Sequence, residues 1–236
     1  LYGIASLQTY HYFNTFVKDR LLLKVFVAGL WIIDTFHSIC ITHAVYHYAI
    51  ANYMNPIVLT NGVWSIDLST VISTLIACAC QMFFTARVWI LGRNRLITGI
   101  CGALCLVRFA LSVVTTWASF NVLPYVRYEH EFTWSIKAGL AVATASDIII
   151  AAAMVYYLLR SRSGIQKTDR IVSRLLGMDV ISYWCSVETC LLTSIITTAD
   201  LICTNVLTSL RTVASVIFLG VYFQVSKLYT NALLTS

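Results

Sequence analysis

The chain has 236 residues, of which 59% are hydrophobic and 11% are charged, and its mean hydropathy is +0.80. About 25% of the residues of a soluble domain are charged, so this composition excludes an ordinary water-soluble protein and predicts an integral protein of a lipid bilayer. The net charge of +6 is gathered in three short connections, where it indicates membrane orientation and does not favour nucleic-acid binding.

Apolar runs separated by charged clusters predict seven membrane helices in an all-α bundle. A helix needs about 20 mostly apolar residues to cross a bilayer. The first run is short and does not begin with Met, so we expect helix one to start upstream of Leu1, after an N-terminal tail. No soluble domain is left over, and residues 1–236 form a single transmembrane domain. The predicted helices lie at about 1–17, 21–49, 64–90, 96–120, 136–159, 173–199 and 206–233.

The basic residues predict the orientation of the bundle, because short cytoplasmic loops are enriched in Lys and Arg. The first, third and fifth connections carry this excess, whereas the second has no charge and the fourth and sixth are balanced. The N-terminus is therefore predicted outside and the C-terminus in the cytoplasm, with the plasma membrane as the expected location. The residues that carry the excess are Lys18, Arg20, Lys24, Arg87, Arg93, Arg95, Arg160, Arg162, Lys167, Arg170 and Arg174.

Several ionisable residues are predicted near the middle of the membrane. At a rise of about 1.5 Å per residue, these are Asp34 in helix two, Arg108 in helix four, Asp147 in helix five and Glu188 in helix six. Such groups should face the bundle interior and have partners there. Asp34 also shares a helix face with His37. Either Arg108 pairs with one or two of the acids or some acids are protonated, and a buried ion pair that only sets helix register is the alternative.

Three residues are predicted to lie at the inner interface. Arg87 and Trp89 at the end of helix three are typical of a basic and aromatic anchor. Lys227 lies about one turn from the inner end of helix seven, where its ammonium can extend to the headgroups. No other Lys occurs in helix seven, so the sequence does not predict a retinal Schiff base.

Two histidines of helix two have a spacing that is used by metal ligands. His43 and His47 are four residues apart, which is the spacing that places two imidazoles on one zinc ion. At about 100° per residue, however, the pair of Asp34 and His37 points well away from them, so a metal site would need carboxylates from other helices. We therefore predict no metal and no cofactor, and the alternative role for His47 is an interfacial belt with Tyr46, Tyr48 and Tyr53. The eight Cys residues lack zinc-site spacing and are expected to be packing residues.

Three segments carry a resemblance to a known family. They are Trp31–His37 followed by His43, Tyr46, Tyr48, Asn52, Tyr53 and Pro56, then Gln81–Trp89, and finally Ser226–Leu234. These segments resemble the large family of seven-helix integral membrane proteins of unknown function from mushroom-forming fungi, and the last is similar to the end of that family's C-terminal domain of unknown function. The resemblance implies the seven-helix topology and an upstream N-terminal segment, and it brings no established activity. The chain departs from the pattern between Arg174 and Thr189, which affects the predicted start of helix six.

The polar layer and the absence of a catalytic motif favour a receptor-like or sensor-like bundle that binds a small lipophilic ligand in a cavity between helices. The alternative is a membrane enzyme, either a metal-dependent lipid hydrolase or a cyclase that uses a protonated acid. A transporter or proton path is a third reading, although the chain lacks Pro-broken or Gly-interrupted paired helices. The predicted ligand contacts are Asp34, His37, Arg108, Asp147 and Glu188.

Overall fold

The computed structural model describes residues 1–17, 19–53, 55, 58, 63–121, 125–163, 188, 191–202 and 214–235. These residues contain seven α-helices and no strand, which confirms the predicted all-α class for this part of the chain. We number the helices in chain order. They are α1 Tyr2–Thr15, α2 Leu21–Tyr46, α3 Trp64–Gly92, α4 Arg95–Asn121, α5 Tyr125–Ser163, α6 Leu191–Ile202 and α7 Ala214–Thr235.

Four of these helices are long and apolar enough to cross a membrane. They cover Leu21–Ala51, Trp64–Ile90, Arg95–Ser119 and Trp134–Tyr157. Their hydropathy is between 1.6 and 2.1, and each exceeds the length of about 20 residues that spans the hydrocarbon layer. Composition and helix length together indicate a membrane-embedded protein.

Two helix ends differ from the predicted boundaries. Helix α2 continues beyond Tyr46 as a π turn over His47–Ala51. Helix α5 begins at Tyr125, upstream of the predicted start at 136, because charged residues such as Glu129 and Glu131 are good helix formers that an apolar run does not include. The predicted start of helix six, at 173, lies outside the described residues.

A short connection joins α3 to α4. Arg93 adopts the left-handed conformation with φ of 46°, and its backbone N–H donates to Trp89 O at 2.9 Å, which ends α3. Asn94 then accepts the Leu96 N–H at 3.0 Å through its side-chain oxygen and so begins α4. Gly92 allows the ring of Tyr157 on α5 to pack against this corner, because a Cβ there would lie 2.3 Å from that ring. The connection therefore holds α3, α4 and α5 together at one end.

Helix α3 lies at the centre of the described bundle. It packs against α2, α4, α5 and α7, while α7 also packs against α1 and α2. Small residues at the contacts allow close approach of helices, as is usual where lipid rather than water surrounds them. The buried apolar cluster includes Leu30, Ile72, Ile76, Ala77, Cys80, Phe84, Val88, Ile150, Ala151, Met154, Tyr157, Val225 and Tyr229.

Candidate functional site

Two groups of buried polar side chains lie on different sides of α7. Lys227 belongs to the first and Tyr229 to the second. These two positions are separated by about 200° around the helix axis, because each residue turns an α-helix by about 100°. We define the Asp34 centre as Asp34, His37, Ser38, Ser226 and Lys227. We define the Asp147 centre as Gln81, Arg108, Ser146, Asp147, Thr197 and Tyr229.

The Asp34 centre is built on a buried ion pair between α2 and α7. The Lys227 ammonium donates to Asp34 Oδ1 at 2.7 Å, to Asp34 O at 2.8 Å and to Ser38 Oγ at 2.6 Å. Three acceptors satisfy the three donors of an ammonium group. The side chain of Asp34 is 0% exposed and that of Lys227 is 7% exposed. The charges of both residues are therefore compensated inside the protein.

His37 lies beside this pair and leaves one ring nitrogen open. Its Nδ1 is 3.4 Å from Ser226 Oγ, and its ring meets the Phe223 ring edge-on at a centroid distance of 5.8 Å. The Ser226 hydroxyl donates its hydrogen to Phe223 O at 3.1 Å. In this arrangement the His37 Nδ1–H donates to Ser226, which leaves Nε2 as an acceptor.

Two buried acceptor atoms of the Asp34 centre have no hydrogen-bond partner among the described residues. They are Asp34 Oδ2 and His37 Nε2. Both side chains are 0% exposed, and they lie on one face of α2, a single turn apart. Since buried polar atoms are nearly always hydrogen-bonded, these two atoms are the exceptions within the Asp34 centre.

In the Asp147 centre, one carboxylate on α5 accepts hydrogen bonds from three other helices, α3, α6 and α7. Gln81 Nε2 donates to Asp147 Oδ1 at 2.8 Å and to Ser146 Oγ at 2.9 Å. Asp147 Oδ2 accepts from the Tyr229 hydroxyl and, at 3.4 Å, from Thr197 Oγ1. Both carboxylate oxygens are thus satisfied, which distinguishes this centre from the Asp34 centre.

Arg108 reaches Asp147 through Tyr229. The Arg108 Nη1 donates to the Tyr229 hydroxyl oxygen at 3.4 Å, and the guanidinium carbon lies 5.6 Å from the centre of the Tyr229 ring. The Tyr229 hydroxyl in turn donates to Asp147. The positive charge of α4 and the negative charge of α5 therefore meet at a side chain of α7.

The structure divides the predicted polar layer into these two centres. It brings Asp34 together with His37, and Arg108 together with Asp147. Glu188 belongs to neither centre, because it is exposed. The sequence gives the depth of a residue along its helix, whereas the direction of its side chain depends on how the helix is rotated in the bundle.

Two residues predicted at the inner interface are buried instead. Arg87 is 5% exposed, and its guanidinium carbon lies 4.7 Å from the centre of the Phe83 ring. Lys227 is turned inward because Asp34 offers it a charged partner. Trp89 is 38% exposed, on the outer surface of α3. The signal that could have located Lys227 was the buried charge of Asp34, because Lys227 is the basic residue within Ala214–Thr235.

His43 and His47 lie at the end of α2, apart from both centres. His43 Nδ1 is 3.0 Å from Ser65 Oγ, and the two imidazole rings stack with centroids 6.4 Å apart. His47 Nε2 is 3.3 Å from Asn52 Nδ2. Within the described ranges, no group of three or more His, Cys, Asp or Glu side chains could hold a metal ion.

The comparisons with known proteins add one finding about the second half of the chain. Residues 143–236 match a family of unknown function, DUF6534. No curated protein and no solved structure matches the chain. The DUF6534 region contains Asp147, Lys227 and Tyr229, whereas Asp34 and Arg108 precede it. Each buried centre therefore joins side chains of the matched region to side chains outside it.

The ion pair predicts a specific pattern of stabilities for the Asp34 centre. Asp34→Asn and Lys227→Met each leave one buried partner uncompensated, which costs about 3–5 kcal/mol for a buried pair. We expect both variants to unfold at a clearly lower temperature in detergent, and the double variant to be more stable than the sum of the two changes predicts. Glu188→Gln, an exposed carboxylate, is the control. Equal melting temperatures for the two single variants, the double variant and Glu188→Gln would contradict the ion pair between Asp34 and Lys227.

The Tyr229 hydroxyl predicts a second effect, at the Asp147 centre. Tyr229→Phe keeps the ring but removes the group that links Arg108 to Asp147, and it leaves buried polar atoms without that partner. This loss costs about 1–3 kcal/mol, which thermal unfolding measures. Tyr156→Phe is the matched control, because Tyr156 is 57% exposed on α5. Equal melting temperatures for Tyr229→Phe and Tyr156→Phe would contradict the link between Arg108 and Asp147.

Proposed function

We propose that this chain is a receptor-like membrane protein whose seven helices all cross the bilayer and which binds a small, mostly apolar molecule at the Asp34 centre. The observation that carries the proposal is the pair of buried acceptors, Asp34 Oδ2 and His37 Nε2, that lack a partner in the described part of the chain. A bound molecule with hydrogen-bond donors satisfies both. This arrangement combines an apolar wall with a few placed polar groups, as is usual in ligand sites.

The chemistry of the two acceptors limits the head group of the ligand. Because both open atoms accept, the ligand presents two donors, one for each. The head group is neutral, because Lys227 already compensates the charge of Asp34 at 2.7 Å and a second cation beside Lys227 would be repelled. A primary amide or a 1,2-diol on a long hydrocarbon chain has these properties. Phe223, whose ring already contacts His37, contributes to the apolar wall.

The position of α7 suggests how binding is transmitted. A donor at Asp34 Oδ2 competes with the charge of Lys227 for the same carboxylate, so it favours states in which α2 and α7 are packed differently. Any displacement of α7 also moves Tyr229, which joins α4 to α5 in the Asp147 centre. The two centres and α7 form a continuous physical path of the kind that coupling between sites requires.

Thermal-shift measurement on the full chain in lipid nanodiscs tests this function. The probes are long-chain primary amides and 1,2-diols, each compared with its N,N-dimethyl amide or dimethyl ether of the same chain length, which has no donor. We expect only the donor-bearing compounds to raise the melting temperature, in a concentration-dependent way. A hydrogen bond to a charged group contributes about 1.5–3 kcal/mol, so the methylated analogues bind at least about tenfold more weakly.

Two variants and one control assign the effect to the Asp34 centre. Asp34→Asn and His37→Phe remove one acceptor each and should abolish the shift. Asp67→Asn changes another carboxylate, one that accepts from Ser119 at 2.5 Å, and should leave the shift intact. The proposal fails if no donor-bearing compound shifts the wild-type protein, or if the shift persists in Asp34→Asn.

Other attributes stay predictions. The outside N-terminus, the plasma membrane and the fungal origin implied by the resemblance rest on the sequence alone. The enzyme and transporter alternatives have no described contact that favours them over ligand binding.

A further inference from the structure

Two thiols of neighbouring helices lie against each other between α3 and α4. Cys78 Sγ is 3.8 Å from Cys105 O, and Cys105 Sγ is 3.8 Å from Cys78 O. This reciprocal contact requires that the two helices approach closely at this level. Both cysteines are free thiols in the structure.

The thiol pair lies just inside the outer surface of the bundle. Cys105 is 6% exposed and Cys78 is partly exposed. Leu75 and Met82, one turn before and after Cys78 on α3, are 41% and 53% exposed. In a membrane-embedded chain this surface faces hydrocarbon, so small apolar molecules in the bilayer have access to Cys78. Water-soluble reagents reach it less easily.

We infer that Cys78 and Cys105 are a redox pair that a lipid hydroperoxide converts to a disulfide between α3 and α4. The first thiolate attacks the terminal peroxide oxygen, which breaks the O–O bond and gives a sulfenic acid and the lipid alcohol. The second thiol then attacks the sulfenic sulfur and releases water. In total, two thiols and one hydroperoxide give one disulfide, one alcohol and one water. A small-molecule dithiol reverses the reaction by exchange.

The environment of the pair supports this chemistry. Arg108 lies three residues after Cys105, on the same face of α4, and a positive charge beside a thiol favours the reactive thiolate. The same Arg108 donates to Tyr229 in the Asp147 centre. A covalent link one turn from Arg108 therefore fixes α4 against α3 beside that centre. The inference is independent of the proposed ligand site, because it rests on different residues.

The test uses the full chain in lipid nanodiscs that contain a fatty-acid hydroperoxide, with hydrogen peroxide and untreated nanodiscs as separate arms. Free thiols are blocked in denaturant and counted by mass spectrometry, and a digest is searched for the linked Cys78 and Cys105 peptides. We expect the lipid hydroperoxide to remove two of the eight thiols and to yield this one cross-link. A dithiol reductant should restore all eight.

Matched variants assign the cross-link to this pair. Cys78→Ser and Cys105→Ser should form no cross-link under the same treatment and should lose at most one thiol, to the sulfenic acid. Cys101→Ser, on α4 and buried, should still lose two thiols and form the cross-link. The wild-type digest is decisive even if a variant does not fold. Unchanged thiols, over-oxidation without a cross-link, or a cross-link that persists in Cys105→Ser would overturn the inference. If hydrogen peroxide oxidises the two thiols and the lipid hydroperoxide does not, the inference that a lipid hydroperoxide is the oxidant is wrong.

Discussion

The buried ion pair between Asp34 and Lys227 is the interaction on which the rest of this structure depends. Two charges inside a membrane protein are tolerated only if they meet each other, because an uncompensated charge costs several kcal/mol. The pair therefore fixes the rotation of α7 about its axis and its height against α2. Once Lys227 faces α2, Tyr229 must face α4 and α5, and the Asp147 centre forms on the other side of the same helix.

This arrangement changes how the DUF6534 match is understood. The matched region, residues 143–236, carries Asp147, Lys227 and Tyr229, but the groups that compensate them, Asp34 and Arg108, lie on α2 and α4. Without α2 and α4, this region would leave the charges of Lys227 and Asp147 without these partners. The physical unit of this chain is thus the larger bundle, because both buried centres span the boundary of the matched region.

Sequence reasoning predicted the parts of the structure that depend on distance along the chain. The positions of α2, α3 and α4 followed from apolar runs, and the burial of Asp34 and His37 followed from the cost of polar groups in a membrane. The partners could not be predicted in the same way. Depth along the helix predicts Lys227 at an interface and Glu188 as a ligand contact, because depth does not give the direction of a side chain. The start of α5 at Tyr125 could not be predicted, because polar residues at the end of a helix do not form an apolar run.

The most direct test of this account is a solid-state NMR contact between the Lys227 Nζ nitrogen and the Asp34 side-chain carboxyl carbon, in protein labelled at these residue types and held in lipid bilayers. The structure places Nζ 2.7 Å from Asp34 Oδ1, so the account predicts a strong cross-peak that disappears in Asp34→Asn. A Lys227 ammonium that shows contacts with lipid headgroups and none with Asp34 would contradict the central role of the pair.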